Sequence, residues 1–109
     1  EAIPQMIAAE REASRSGDLA LLAQLWAEDA RIIDTRGTED TGDDFTWPNR
    51  AAVLDRYTLA VFPAPPPALG GLPSPNITVQ GEAAQAVNGQ DRWRFVQRDG
   101  RWWIAELRY

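Results

Sequence analysis

Three carboxylates in this chain stand at positions where the hydrophobic pattern faces inward. Glu10 interrupts an apolar helical stripe, Asp34 alternates with apolar residues of a strand, and Glu106 sits among apolar residues of a β-hairpin. Burial disfavours the charged form of an acid and raises its pKa toward the range in which it exchanges protons. We therefore expect acid/base chemistry with Asp34 as the base and Glu10 or Glu106 as its protonated partner. Tyr57 is the expected hydrogen-bond donor.

The composition removes the other common catalytic groups. The 109 residues include no His and no Cys, and all eleven basic residues are Arg. These absences exclude Ser-His-Asp and Cys-His nucleophiles, thiolate or imidazole zinc sites, Schiff-base lysines and P-loop lysines. The acidic loop Thr38–Asp44 lacks the spacing and terminal Glu of an EF-hand loop. We therefore expect no metal and no cofactor.

The charge balance argues against two classes of partner. Sixteen acids against eleven arginines give a net charge of −5, whereas a phosphate backbone calls for a basic patch, so we expect no nucleic acid. No apolar run approaches the roughly 20 residues of a membrane span, and no signal segment opens the chain, so we expect no membrane. The lack of Cys fits a reducing compartment, and we expect a cytoplasmic protein.

Hydrophobic spacing predicts three helices that would position these groups. The first is expected over about Ala2–Ser16, and Asp18 is expected to cap the second. Asn49 is expected to cap a third helix that carries Tyr57 on its apolar face. The stretch Pro63–Pro75 cannot join a helix or a central strand, so we expect an extended loop inside a single domain that covers the whole chain.

A hydrophobic period of two predicts strands after the second helix. The first is expected from Asp29, and Phe45–Trp47 is expected to form a short return strand. The remaining strands are expected at Asn76–Gln80, at Ala83–Arg98 with an interruption at Asn88-Gly89, and at Arg101–Tyr109.

The two-residue loop Asp99-Gly100 fixes a register for the last two strands. Pairing outward from this loop gives one mostly apolar face that helices should cover. The pairs on that face are Gln97 with Trp102, Phe95 with Ile104, Trp93 with Glu106, and Asp91 with Arg108. A bulge after Asp91 would invert the register.

The opposite face of the same hairpin is too apolar for bare solvent, which favours a partner surface and a homodimer. Its apolar residues are expected to be Val96, Trp103, Leu107 and Tyr109.

The order of elements and two local strings resemble a known superfamily. Two helices, a strand, a third helix and a run of strands predict an α+β fold with helices on one face of a curved sheet. The string SGDLALLAQLWAEDARIIDTRG, Ser16–Gly37, resembles the start of the nuclear transport factor 2-like superfamily. The string RDGRWWIAEL, Arg98–Leu107, resembles the terminal hairpin of its SnoaL-like and ketosteroid isomerase-like members. The resemblance implies a cystatin-like cone with three helices on a mainly antiparallel sheet that encloses a pocket.

The resemblance also implies roles for single residues. By motif, Asp34 stands where ketosteroid isomerases carry their general base, and Tyr57 stands where they carry a Tyr that supports the oxyanion-binding network. Glu10 and Trp26 depart from that pattern, because the family has Tyr at both positions. The protonated Asp of the family has no counterpart at Arg92 or Trp93. These departures count against a steroid isomerase in the strict sense.

Aromatic side chains beside few polar groups favour a flat, largely apolar small molecule as the ligand, such as a polyketide, terpenoid or steroid. The residues expected to contact it are Trp26, Trp47, Trp93, Phe95, Asp91 and Arg108. An isomerase, a cyclase and an epoxide-opening enzyme all remain open. For the last of these, Asp91, Arg108 and Glu106 resemble in chemistry the acid-Arg-acid arrangement of limonene epoxide hydrolase-like members.

A non-catalytic interpretation also remains open. On that interpretation the acids form salt bridges or cap strand ends, with Glu106 in a cross-strand ion cluster and Asp34 bound to loop amides. The domain would then be a ligand-binding or dimeric interaction module of the same fold.

Overall fold

The computed structural model describes residues 2–67 and 75–109 of the chain. In these residues, three α-helices precede or interrupt the strands of one six-stranded sheet. The helices are α1 (Ala2–Ser16), α2 (Leu19–Leu25) and α3 (Arg50–Arg56), with a 3-10 turn at Thr41–Asp43 and a π-helical turn at Tyr57–Val61. The strands are β1 (Trp26–Asp34), β2 (Phe45–Trp47), β3 (Asn76–Gln80), β4 (Ala83–Asn88), β5 (Asp91–Arg98) and β6 (Arg101–Arg108). The predicted order of elements and the α+β class are confirmed.

Side-chain caps begin two of the helices where the sequence predicts. Asp18 accepts a hydrogen bond from the Leu21 amide at 3.1 Å, and Asn49 accepts one from the Ala52 amide at 2.9 Å. None of the described helices is long and apolar enough to cross a membrane. Of the predicted Pro63–Pro75 loop, residues 68–74 lie outside the described residues.

The third helix changes its winding at the residue expected to do chemistry. From Tyr57 to Val61 the turn is π-helical, and the Phe62 amide donates to the Tyr57 carbonyl at 2.8 Å. Pro63 follows at once and has no amide hydrogen with which to continue the helix. A π turn is rare and often lies at a functional site, because its wider winding turns side chains out of the regular helical stripe.

The sheet has the strand order β2-β1-β6-β5-β4-β3, in which β1 and β6 run parallel and the other neighbours run antiparallel. The helices cover one face, which we call the inner face. A single core of buried residues joins both layers. Its largest fully buried members are Leu22, Val53 and Tyr57 from the helical side and Trp26, Ile32, Phe95 and Ile104 from the strands.

The hairpin register is correct from the turn as far as Ile104 and wrong beyond it. Phe95 pairs with Ile104 as predicted, but Arg94 pairs with Glu106, so Ala105 is an extra residue that forms a β-bulge. After the bulge, Trp93 faces Leu107 instead of Glu106. The register of β1 against β6 also shifts between Trp26 and Arg31, beside the same bulge.

The bulge moves Glu106 to the outer face, which corrects the expectation that this acid points inward. Its Oε1 accepts hydrogen bonds from Arg31 at 2.6 Å and from Arg94 at 3.3 Å. A carboxylate against Trp93 would be desolvated without a cation, whereas on the outer face two guanidinium groups stabilise its charge. Leu107 takes the inner position, so apolar surface is buried in place of a charge.

The expected partner surface changes with the register. Val96 and Trp103 pair on the outer face, where the guanidinium of Arg101 lies 3.7 Å from the centre of the Trp103 ring. Leu107 and Tyr109 were also expected there, but both line a cavity on the inner side. The apolar patch on the outer face is therefore smaller than the sequence predicts, and more charged residues surround it. The homodimer stays a prediction.

The outer position of Glu106 predicts a specific loss of stability. Although its partial burial raises the pKa of Glu106, hydrogen bonds from Arg31 and Arg94 outweigh that effect and hold the pKa below its usual 4.5. The stabilisation is therefore present above pH 4.5 and disappears as the pH falls through the lower pKa of the folded state. Glu106→Gln should lower the free energy of unfolding by about 1–2 kcal/mol near neutral pH.

Urea unfolding at about pH 7 and at about pH 3 measures this effect, since the difference should shrink at the lower pH. The exposed Glu82 offers a matched control, and Glu82→Gln should change little at either pH. An unchanged or increased stability of Glu106→Gln near neutral pH would instead mean that Glu106 is buried without a cation.

Candidate functional site

A cavity of about 390 Å³ lies between the helices and the inner face of the sheet. This volume lies within the range of roughly 300–1,000 Å³ for small-molecule sites. Its walls come from α1, from β2, from the end of α3, from the π turn and the segment after it, and from β5 and the end of β6. Apolar and aromatic walls surround a set of polar side chains: Glu10, Arg11, Ser14, Arg56, Tyr57, Asp91 and Tyr109.

A buried hydrogen-bonded group forms one wall of the cavity. The Tyr57 hydroxyl donates to Glu10 Oε2 at 2.6 Å, and Ser14 Oγ lies 3.0 Å from the same oxygen and 2.8 Å from the Glu10 carbonyl. Glu10 and Ser14 are four residues apart, so they lie one turn apart on the same face of α1. Among the described residues these side-chain bonds end on Oε2, which leaves Glu10 Oε1 for a ligand.

Burial controls the protonation of this pair. It raises the pKa of the Glu10 carboxyl above its usual range, because the hydrogen bonds from Tyr57 and Ser14 offset only part of the desolvation. Burial beside the Glu10 carboxyl also raises the pKa of the Tyr57 phenol well above its usual range. Tyr57 therefore keeps its proton and acts as a donor, while Glu10 is an acid that can hold or release one.

A second carboxyl group faces the same cavity. Burial raises the pKa of Asp91, while the positive charges of Arg11 and Arg56 oppose the rise. Arg11 also donates to the Pro67 carbonyl at 2.8 Å and so ties the segment after the π turn to α1. The cavity thus holds two acids in different surroundings, since Glu10 is buried and bonded to a phenol, whereas Asp91 is only half-buried. The positive charges of Arg11 and Arg56 lower the pKa of both.

The structure brings several of the predicted site residues together in this cavity. Glu10 and Tyr57 are in direct contact, and Asp91, Trp47 and Trp93 also line the walls. One of the three expected acids, the expected donor Tyr57 and two of the expected aromatic residues therefore lie on one cavity. Their roles in binding or catalysis stay predictions.

Other predicted site residues lie elsewhere. Asp34 is half-buried at the end of β1, where its Oδ1 accepts from the Arg36 amide at 2.8 Å, and it does not line this cavity. Glu106 is paired on the outer face. The expected convergence of three acids is therefore wrong, and both residues do what the non-catalytic interpretation expects, a loop cap for Asp34 and a salt bridge for Glu106.

The remaining expected ligand contacts also need correction. Asp91 lines the inner cavity, whereas Arg108 and Glu106 lie on the outer face, so the expected cluster of the three does not form. The Nη1 atom of Arg108 lies 3.5 Å from Asp44 Oδ2 instead. Trp26 and Phe95 are fully buried behind the cavity wall, where the Trp26 ring packs edge-on against Tyr57 with 6.2 Å between ring centroids. These two aromatics support the lining residues and do not line the cavity themselves.

Sequence reasoning missed four polar residues of the cavity. Ser14 could have been found, because a hydroxyl one turn after a buried acid is placed to bond it. Arg11 and Arg56 look like ordinary solvated charges on their helices. Tyr109 was assigned to the outer face, and only the bulge at Ala105 turns it inward.

A second, more polar cleft of about 580 Å³ lies past the end of the sheet and shares Tyr109 with the first. Arg92 and Arg108 of this cleft face each other across β5 and β6, and Glu39 and Asp44 balance their charges. Within the described part of the chain, no group of three or more acids is placed to hold a metal ion.

Comparisons with known proteins give matches in structure alone. The sequence matches no protein-family model, and it matches no curated protein. A nuclear transport factor 2-like protein with a cystatin-like fold from Novosphingobium aromaticivorans superposes with a TM-score of 0.73 at 22% identity, covering 98% of this chain and 77% of that one.

Two further solved structures show the same similarity. A nuclear transport factor 2-like superfamily protein from Salmonella enterica has a TM-score of 0.68 at 16% identity, covering 98% of this chain and 86% of that one. A proposed ketosteroid isomerase from Shewanella frigidimarina has a TM-score of 0.67 at 20% identity, covering 99% of this chain and 94% of that one. The chain therefore has a cystatin-like fold, as the sequence predicts.

Proposed function

We propose that the protein binds a small ring-containing molecule in the cavity between α1, the π turn and the inner face of the sheet. The observation that carries this proposal is the 2.6 Å hydrogen bond from Tyr57 to Glu10 on the wall of that cavity. The buried acid-phenol pair makes one end of the cavity polar, while the other walls are mainly apolar. Such a cavity suits a flat molecule with one carbonyl or hydroxyl group. Trp47 and Trp93 supply flat apolar surface for the rings.

The same pair supports cofactor-independent acid/base catalysis of the isomerase or cyclase type. A protonated Glu10 can donate from its carboxyl group to a ligand oxygen while Tyr57 holds the orientation of that group. Asp91, which is less deeply buried than Glu10, is the second acid of the cavity and the better base. Similarity in fold to a proposed ketosteroid isomerase agrees with this reaction class.

Two earlier options lose support. Epoxide opening through Asp91, Arg108 and Glu106 needs those side chains together, but Asp91 lines the inner cavity while Arg108 and Glu106 lie on the outer face. Asp34 as the general base needs a carboxylate in the cavity, and Asp34 caps a loop at its end of β1. A ligand-binding module without turnover remains the second candidate, since Asp34 and Glu106 have structural partners.

Proton exchange on a simple ring ketone tests binding and catalysis together. We expect 2-tetralone in D₂O to bind and to gain deuterium next to its carbonyl faster with the protein than in buffer, measured by mass spectrometry. Asp91→Asn and Glu10→Gln should each slow the exchange by about 10²–10⁴-fold, the usual contribution of a general acid or base. Asp55→Asn, on the exposed side of α3, is the matched control and should exchange as the wild type does.

The outcomes separate the candidates. Binding without exchange identifies a ligand-binding module, and a cavity that binds neither this ketone nor any other ring compound tested contradicts the proposed function. Asp34→Asn distinguishes the two assignments of the base, because it slows the exchange only if the motif-based assignment to Asp34 is right.

The buried acid also predicts how stability depends on pH. The pKa of Glu10 is raised in the folded state, so its contribution to stability is complete below its unfolded pKa of about 4.5 and is lost as the pH rises through the folded value. Glu10→Gln removes the loss of stability at higher pH, because glutamine does not ionise. The variant should therefore gain stability relative to the wild type between pH 4.5 and neutral pH, by about 1.4 kcal/mol for each unit of pKa shift.

Urea denaturation of both proteins across this pH range gives the difference directly. Glu12→Gln on the exposed side of α1 is the control and should run parallel to the wild type. A constant difference between Glu10→Gln and the wild type would mean that Glu10 ionises as a solvated acid does.

A further inference from the structure

Arg56 sits among three aromatic rings of the cavity. Its guanidinium carbon lies 5.1 Å from the ring centre of Trp47, 5.4 Å from that of Tyr109 and 5.8 Å from that of Tyr57. Each distance is within the range of roughly 6 Å for a cation-π contact. The rings therefore hold the position of a charged group that would otherwise move freely on a long side chain.

The hydrogen-bonding capacity of Arg56 is largely unused. One nitrogen donates to the Tyr109 hydroxyl at 3.1 Å, and a guanidinium group has five N–H donors. Five ion pairs are found within residues 2–67 and 75–109, and Arg56 belongs to none of them. A cation fixed in a cavity wall, with a neutral phenol as its hydrogen-bond partner, is prepared to bind an anion.

A second unpartnered donor lies in the same walls. Trp93 is only 3% exposed, and its indole Nε1 has no hydrogen-bond partner among the described residues. Buried donors nearly always find an acceptor, but the Nε1 of Trp26 behind the cavity wall is unpartnered as well. Both nitrogens are shielded from solvent, so it is Arg56, and not either indole, that a ligand in the cavity can reach.

The charges of the cavity agree with an anionic ligand. The whole chain carries −5, yet the cavity contains Arg11 and Arg56 against Asp91 and the buried Glu10. Burial favours the neutral form of Glu10, so the cavity is positive inside an acidic protein. The largely apolar ligand expected from the sequence would leave these charges unused.

We propose that the ligand of this cavity carries one carboxylate on its ring system and that Arg56 binds that carboxylate. The proposal rests on the proposed function and narrows its ligand from an apolar ring compound to a ring acid. Arg56 would hold the carboxylate end while Glu10 and Tyr57 face the carbonyl or hydroxyl end. Arg56 is thus a specificity residue, since it distinguishes a ring acid from a neutral ring compound of the same shape.

Matched acid and amide probes measure the preference for negative charge. Benzoate with benzamide and 2-naphthoate with 2-naphthamide are pairs of nearly equal shape that differ in charge at neutral pH. By calorimetric titration of the whole protein, we expect each acid to bind at least about tenfold more tightly than its amide. Equal affinities within both pairs would overturn the proposal.

Substitutions of Arg56 test whether this residue causes the preference for the acid over its amide. Arg56→Gln should bring the acid and its amide to similar affinity, and Arg56→Lys should keep part of the preference, because it keeps the charge without the flat donor group. Asp91→Asn should strengthen acid binding, since it removes an opposing negative charge. Arg15→Gln, an exposed position of α1, is the matched control and should keep the wild-type preference. A preference that survives in Arg56→Gln would overturn the role of Arg56.

Binding of the neutral ketone 2-tetralone distinguishes the ring-acid proposal from the proposed function. If 2-tetralone binds and the acids do not, the ring-acid proposal fails and the proposed function stands. If neither the ketone nor any acid or amide binds, both fail.

Discussion

The hydrogen bond between Tyr57 and Glu10 is the interaction on which the candidate site depends. It joins α1 to the π turn across the core, with 2.6 Å between the two oxygens and both side chains buried. An ionised carboxylate in this place would lose its hydration and have no direct cationic partner, so burial favours the neutral acid. The same contact thus fixes the geometry of two elements and keeps a proton in a chain that has no His, Cys or Lys to hold one.

A single extra residue in β6 decides which other side chains join that pair. The bulge at Ala105 turns Glu106 out to Arg31 and Arg94 and turns Leu107 in to Trp93. It gives the protein a buried apolar contact and a charge-stabilised acid in place of an unpaired buried charge. The bulge also leaves Tyr109 on the cavity side, where it bonds to Arg56. The electrostatics of the outer face and the composition of the cavity therefore have one common cause.

The sequence predicts the helices, the strands and their caps because each depends on short-range patterns. Asp18, Asn49 and the Asp99-Gly100 turn act on neighbours a few residues away, and their effects follow from local chemistry. The inward positions of Glu10 and Tyr57 are also predictable, since Glu10 breaks an apolar stripe and Tyr57 lies on one, but their hydrogen bond to each other is not. The bulge at Ala105 cannot be predicted from the sequence, because it reflects a balance between the hydrogen bonds of the strand ladder and the burial of Glu106. That balance depends on Arg31, which lies 75 residues away in another strand. Asp34 lies at the end of β1, as its motif predicts, but its carboxylate accepts a hydrogen bond from a loop amide.

The protonation of Glu10 determines what the site can do, and the carboxyl carbon of that residue reports it directly. An NMR titration of the Glu10 carboxyl resonance, with and without bound 2-tetralone, follows the proton at this one site. A titration midpoint above the usual pKa of 4.5 that moves when the ketone binds is the result predicted here. A midpoint at or below 4.5 that does not respond to the ketone would contradict it.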